Sequence, residues 1–245
     1  MHRDRVGVFL LKKIISLYSL IPFYALVFMF VLLVTVFGSH AVTVMSEAAP
    51  LEGRVCIIID PGHGGEDGGT TSCTGVLEST INLEISLRLN DLFHLLGYET
   101  KIVRTSDQSV SITGDTIAAR KASDLKQRVK LVNDTDNSLL ISIHQNFFPE
   151  GKYQGTQVFY PKTEGSDILA RALQSAFVNN LNPDSKRKAK PAQGVYLMNN
   201  VSRTGVLIEC GFLSNPEEEA LLRSTDYQQK ICCVIATTVA YFIGS

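Results

Sequence analysis

From Arg54 onward, short apolar runs alternate with stretches whose apolar residues recur every three to four positions. No other feature of the chain limits its fold as much. Strands are expected at Arg54–Asp60, Thr100–Val103, Leu139–His144, Thr156–Tyr160, Gly194–Leu197 and Val206–Cys210. Ile81, Ile85, Leu89, Leu92 and Leu96 form one helical face, with Gly97 placed to stop it. Ile168, Leu169, Ala172, Leu173, Ala176 and Phe177 form a second, and Ile231, Val234, Ile235, Val239 and Phe242 a third. Such alternation predicts an α/β domain with a mixed, mostly parallel sheet of about six strands and helices on both faces. Residues 104–122, RTSDQSVSITGDTIAARKA, read as a polar excursion from that scaffold. Sheets of this kind place their sites at the carboxyl ends of strands.

The N-terminal part is of another kind. Arg3, Arg5, Lys12 and Lys13 precede an uncharged run from Ile14 to Gly38, long enough to cross a bilayer. A signal peptide has a shorter apolar centre, so the length favours a retained anchor, although Ser39, Ala41, Ala48 and Ala49 offer small residues for cleavage. The expected organisation is a basic cytoplasmic segment at 1–13, a transmembrane anchor or uncleaved signal at 14–38, a linker at 39–53 and a catalytic domain at 54–245. The basic flank stays inside and the remainder is exported.

A net charge of −1 gives no basic surplus, which argues against a nucleic-acid partner. The five cysteines lack C-x-x-C spacing and read as small thiols rather than a disulfide framework or a thiolate zinc site. Histidines are more informative. His63 lies in IIIDPGHGGEDGG, just past one expected strand, and His144 ends another in LLISIHQN. Two imidazoles at strand carboxyl ends face one crevice, and zinc is commonly held by imidazoles with a carboxylate.

Glu66, Asp67, Glu78 and Glu84 are the carboxylates within reach in sequence. Glu78 stands at the expected helix start, where a structural role toward the helix dipole competes evenly with ligation. Glu209, ending the apolar strand GVLIEC, is either neutralised by a basic residue such as Arg203 or held for acid–base chemistry. Spacing alone favours a mononuclear zinc hydrolase.

The set DPGHGG, a glutamate followed by STINLEISLRL, ISIHQN and LIECGFLSNP resembles the zinc-dependent N-acetylmuramoyl-L-alanine amidases, in order and over residues 54–243. RTSD, ARKASDLKQRVKLVN and GKYQGTQVFYPK are similar to the spore-cortex branch of that family. The resemblance implies an α/β sandwich, one Zn2+ held by His63, Glu78 and His144, and Glu209 as the catalytic residue. It leaves Glu66 and Asp67 as loop residues, with the glycines making room for a bulky substrate. It also implies cleavage of the amide between the muramic acid lactyl group and L-alanine, with peptidoglycan as substrate, in preparation of the cortex for muramic-δ-lactam formation. The location implied is the outer face of the membrane, the wall or the forespore intermembrane space. Asn146, Arg104 and the basic run Ser185–Lys190 are candidates for substrate contact, the run being read first as a solvated loop. Gln145 and Arg203-Thr204-Gly205 depart from common family residues. A zinc exopeptidase and a non-catalytic wall-binding module are the competing readings, and an accessory protein is left open.

Overall fold

A computed structural model describes residues 22, 25–30, 32 and 55–244. The chain divides into two compact units, 1–52 and 53–245. In the first, the described residues are helical. The expected span at 14–38 otherwise lies outside the described residues, as does the linker at 39–53. Among the described residues no helix is long and apolar enough to cross a membrane.

The second unit is the expected α/β domain. Its strands are β1 (Cys56–Pro61), β2 (Glu99–Ile102), β3 (Ser138–Asn146), β4 (Gln157–Tyr160), β5 (Lys190–Pro191) and β6 (Thr204–Phe212). Its helices are α1 (Glu78–Leu95), α2 (Ile117–Asn133), α3 (Ser166–Asn180), α4 (Tyr196–Asn200), α5 (Pro216–Leu222) and α6 (Thr225–Gly244). The sheet has six strands in the order β2-β1-β3-β6-β4-β5. All neighbours run parallel except β4 against β6.

The period-two alternation of the central strands sorts the core into two clusters. Ile57, Ile59, Leu139, Ile141, Ile143, Val206 and Ile208 face α1, α3 and α6. Ile58, Leu140 and Leu207, on the other face, meet Val132 of α2 and Leu197 and Met198 of α4.

Two expectations need correction. Gly194–Leu197 is not a strand: α4 begins at Tyr196, and the edge strand is Lys190–Pro191. A four-residue apolar run fits either period, so the pattern did not decide. The excursion at 104–122 is not wholly irregular either, because its end enters α2, capped where Thr116 accepts from the Ala119 N–H at 3.1 Å.

Candidate metal centre

His63, Glu78 and His144 converge at the carboxyl end of the sheet, with one potential ligand atom from each lying within 4.8 Å of the others. Their positions follow from three different pieces of local structure. His144 is near the end of β3. Glu78 is the first residue of α1, so the end of that helix aims it at the strand ends and the helix dipole favours its charge. The dipole role and ligation are therefore compatible rather than alternatives. His63 follows β1 with φ of 61°, a left-handed conformation unusual outside glycine.

Two buried arginines hold that strained segment. Arg128 of α2 donates to the Pro61 carbonyl at 2.9 Å and to the His63 carbonyl at 2.7 Å. Arg104 donates to Pro61 at 3.0 Å, Gly62 at 3.0 Å and Ser79 at 2.8 Å. Consecutive carbonyls turned toward two guanidinium groups leave the DPGH turn little freedom. Arg128 also pairs with Asp60 at 2.5 Å and Asp124 at 2.6 Å, and Ser142 donates to Asp60 at 2.7 Å. Burial pushes against ionisation of Asp60, but Arg128 and Ser142 outweigh it and hold the carboxyl below its usual range.

The glycines turn out to serve the histidines. A Cβ on Gly62 would lie 2.3 Å from the His144 ring. One on Gly69, where φ is 70°, would lie 2.6 Å from Glu78 Oε2 and 2.8 Å from His63. The close approach here is by the candidate ligands themselves, which corrects the expectation that these positions chiefly admit substrate.

Glu78 Oε1 lies 3.0 Å from His144 Nδ1 and 3.3 Å from His63 Nε2. The same oxygen accepts from the Gln145 N–H at 3.2 Å and Asn82 Nδ2 at 3.3 Å, and Oε2 accepts from the Thr70 N–H at 3.0 Å. Against the opposing effect of burial, the two imidazoles hold Glu78 far below the usual carboxylate range. His63 Nδ1 meets Asp67 Oδ2 at 2.9 Å, and Lys121 holds the same oxygen at 3.0 Å. Burial disfavours the imidazolium, yet Asp67 and Glu78 raise the His63 pKa to about 9. With Nδ1–H donating to Asp67, Nε2 is the nitrogen left free to ligate a metal. Asp67 thus orients the ring of a candidate ligand, a role its place in a glycine-rich loop did not reveal. Glu66 instead pairs with Arg120 at 2.7 Å, and Glu84 accepts from Gln228 at 2.9 Å.

Glu209 stands opposite His144 in the β3–β6 register. Its Oε2 is buried with no hydrogen-bond partner. Arg203, the basic residue offered for it by sequence, pairs with Asp136 at 2.8 Å. Burial, with Glu78 adding to it against the two histidines, pushes the Glu209 pKa up to about 7. Such a carboxylate exchanges protons near neutrality.

Arg104, expected to meet substrate carboxylates, is 3% exposed and engaged by carbonyls, so it is part of the scaffold. Asn146 ends β3 two residues beyond His144 and is half-buried. A recess of about 90 Å3 opens beside His63 and His144, bounded also by Lys121 and Tyr196.

The donor set suits zinc: two imidazoles and one carboxylate, with a carboxylate oriented on an imidazole behind them and an unpaired one on the neighbouring strand. A family profile for N-acetylmuramoyl-L-alanine amidases matches residues 57–241. The germination-specific N-acetylmuramoyl-L-alanine amidase of Bacillus subtilis (strain 168) is 42% identical over 188 residues, 76% of this chain and 78% of that protein. The CwlD amidase from Clostridioides difficile, solved in complex with the GerS lipoprotein, is 32% identical with a TM-score of 0.74, covering 78% of this chain and 99% of that one. An N-acetylmuramoyl-L-alanine amidase from Clostridium difficile 630 is 29% identical with a TM-score of 0.66, over 78% and 98% of the two chains. By sequence and by fold, the chain belongs to the N-acetylmuramoyl-L-alanine amidase family.

Proposed function

We propose that this chain is a peptidoglycan hydrolase that cleaves the amide between the lactyl group of muramic acid and the L-alanine of the stem peptide. The observation that carries the reading is the unpaired Glu209 carboxylate on the strand beside His144, next to the His63–Glu78–His144 convergence. One Zn2+ per chain is assigned to His63, Glu78 and His144. The chemistry zinc supplies when bound is acidification of water and polarisation of an oxygen.

Glu209 is assigned as the catalytic acid–base. Its raised pKa lets it accept the proton of the attacking water and return it to the departing alanine nitrogen. Asp67 fixes the His63 tautomer, while Arg128 and Arg104 hold the turn that aims the ring. Asn146, two residues beyond His144 at the end of β3, is assigned to substrate contact.

Likeness to the germination-specific and CwlD amidases supports action on spore cortex, ahead of muramic-δ-lactam formation. The uncharged run at 14–38 supports export with attachment to the membrane, on the outer face or in the forespore intermembrane space. The lipoprotein bound to the Clostridioides difficile relative supports an accessory protein partner.

The test is digestion of purified peptidoglycan by the zinc-loaded protein. New L-alanine amino termini on intact stem peptides are expected. Release of single amino acids would identify an exopeptidase, and wall binding without product would identify a non-catalytic module.

A further inference from the structure

A cavity of about 750 Å3 lies apart from the histidines, far larger than the recess beside them. It is bounded by residues of the segment 181–190, by Gln154, Gly155 and Gln157, and by Glu217 and Glu218 of α5. Its size is that of pockets which hold small organic ligands.

The sheet register ties this cleft to the reaction centre. Gln157 of β4 pairs with Glu209 of β6, and β4 runs antiparallel, so the loop entering β4 meets β6 at the end that carries Glu209. Phe212, three residues beyond Glu209, has the Arg187 guanidinium stacked over its ring at 4.9 Å. Arg187 Nε also donates to the Gln154 carbonyl at 3.2 Å, and the Lys188 carbonyl accepts from the buried Gln157 at 2.8 Å. The basic run Ser185–Lys190 is therefore anchored to the cleft wall through Arg187 and the Lys188 carbonyl, while its lysine side chains are exposed, as expected of a solvated loop.

Charge around the cleft is incompletely neutralised. Lys186, Arg187, Lys188 and Lys190 all line it. None of them is in an ion pair among the described residues, whereas Arg120, Lys121, Arg128, Arg171 and Arg203 are each paired. On the acidic side, buried Glu218 accepts from the Gly155 and Phe212 N–H groups at 2.7 and 2.8 Å. It also interacts with the charge of Arg187, which leaves the exposed lysines as the uncompensated cations. Asp184 and Glu217 are the exposed acids of the lining. Unpaired cations around a concave surface focus a field that attracts anions.

We propose that this cleft binds the carboxylate-bearing stem peptide of the wall substrate, with Lys186, Arg187 and Lys188 selecting free over amidated stems. The inference rests on the amidase reading and names the part of the substrate that the protein recognises away from the scissile bond.

The test compares hydrolysis of muropeptides whose stem carboxylates are free with that of the same muropeptides amidated. The wild-type protein should show a KM about tenfold lower on the free form, as expected for two or three exposed charge pairs. Lys186→Ala/Lys188→Ala, at exposed positions away from the core, should raise KM on the free form about tenfold with kcat within twofold, and so close the gap between substrates. Arg187→Lys should fall between the two. Equal KM for free and amidated substrates in the wild-type protein would overturn the proposal, as would a KM change in the double variant that is the same on both. A loss of affinity confined to walls bearing anionic phosphodiester polymer would overturn it in favour of that polymer. Absence of amide cleavage by the wild-type protein would instead remove the amidase reading and this inference with it.

Discussion

The two faces of the sheet are built differently. On the α1, α3 and α6 face the layer is apolar and deep, from Ile57 and Ile141 through Leu89, Leu173 and Phe177 to Ile231 and Ile235. Opposite it, the α2 and α4 layer is smaller and admits charge: Arg128 and Asp60 are 2% and 1% exposed and bonded to each other. The apolar face supplies burial, which needs no particular geometry beyond shape. The charged face has geometry as its product, since the Arg128 group that neutralises Asp60 also fixes the carbonyls of Pro61 and His63. A buried ion pair is a poor source of stability, so its presence here is explained by what it positions.

Substitutions can separate these two roles. The largest expected effect is that of Gly62→Ala, because the added methyl occupies the space of the His144 ring. Zinc retention after dialysis and amidase activity should both disappear, and retained stoichiometric zinc would show that the close approach is dispensable. Arg128→Met comes next. It strands Asp60 and frees the His63 carbonyl, so stability should fall by about 3–5 kcal/mol, with zinc affinity lowered about 10–100-fold. A carboxyl held below its usual range contributes stability that is present above the unfolded pKa of about 4 and lost as the pH falls further. The Arg128→Met protein should therefore lose less stability than wild type between about pH 4 and pH 2 in denaturant titrations.

On the apolar face, Leu173→Ala should cost about 2–5 kcal/mol of stability, while zinc affinity at 25 °C stays within about twofold because the site is not touched. If Leu173→Ala weakened zinc as much as Arg128→Met, the division of labour between the faces would be wrong. The smallest effect is expected from Asp67→Asn, which keeps the volume and removes the charge behind His63. Zinc affinity should drop about tenfold. Proton competition should also change: with His63 raised to about 9, zinc uptake by the wild-type protein releases a proton throughout neutral pH, and Asp67→Asn should lower that release as its imidazole pKa falls.

The apolar face was legible in the sequence and the charged face was not. Ile81 to Leu92 and Ile231 to Phe242 show their buried stripes directly, because apolar periodicity is what a deep core layer requires. Leu96, expected to continue the first stripe, is exposed past the helix end. Helix α2 spaces Leu125, Val129 and Val132 as a helix does, but it also buries Arg128 and is rich in charge, so the stripe in ARKASDLKQRVKLVN was overlooked. The same holds at the site. His63, Glu78, His144 and Glu209 could be picked out by residue type and position at element ends, and the fold brings them to one end of the sheet. Arg104 was misassigned because an arginine in a polar segment gives no sign of burial. Asp67 was passed over because the partner of His63 Nδ1 depends on how a glycine-rich turn closes, which residue types do not specify. Burial of charge is decided by partners distant in sequence, and local pattern carries little trace of them.

The measurement that tests the account most directly is zinc content together with hydrolysis in Glu209→Gln. This variant keeps the side-chain volume and the three assigned ligands but has no proton to exchange. Zinc should remain at one per chain while release of new L-alanine amino termini from peptidoglycan falls by at least about a hundredfold, the low end of an acid–base contribution. In the wild-type protein, kcat/KM should decline as the pH drops through about 7 or lower, since a bound cation lowers the Glu209 pKa from about 7 and activity needs the carboxylate. Glu209→Gln should lack that acid limb. Near wild-type hydrolysis with zinc retained would contradict the assigned chemistry.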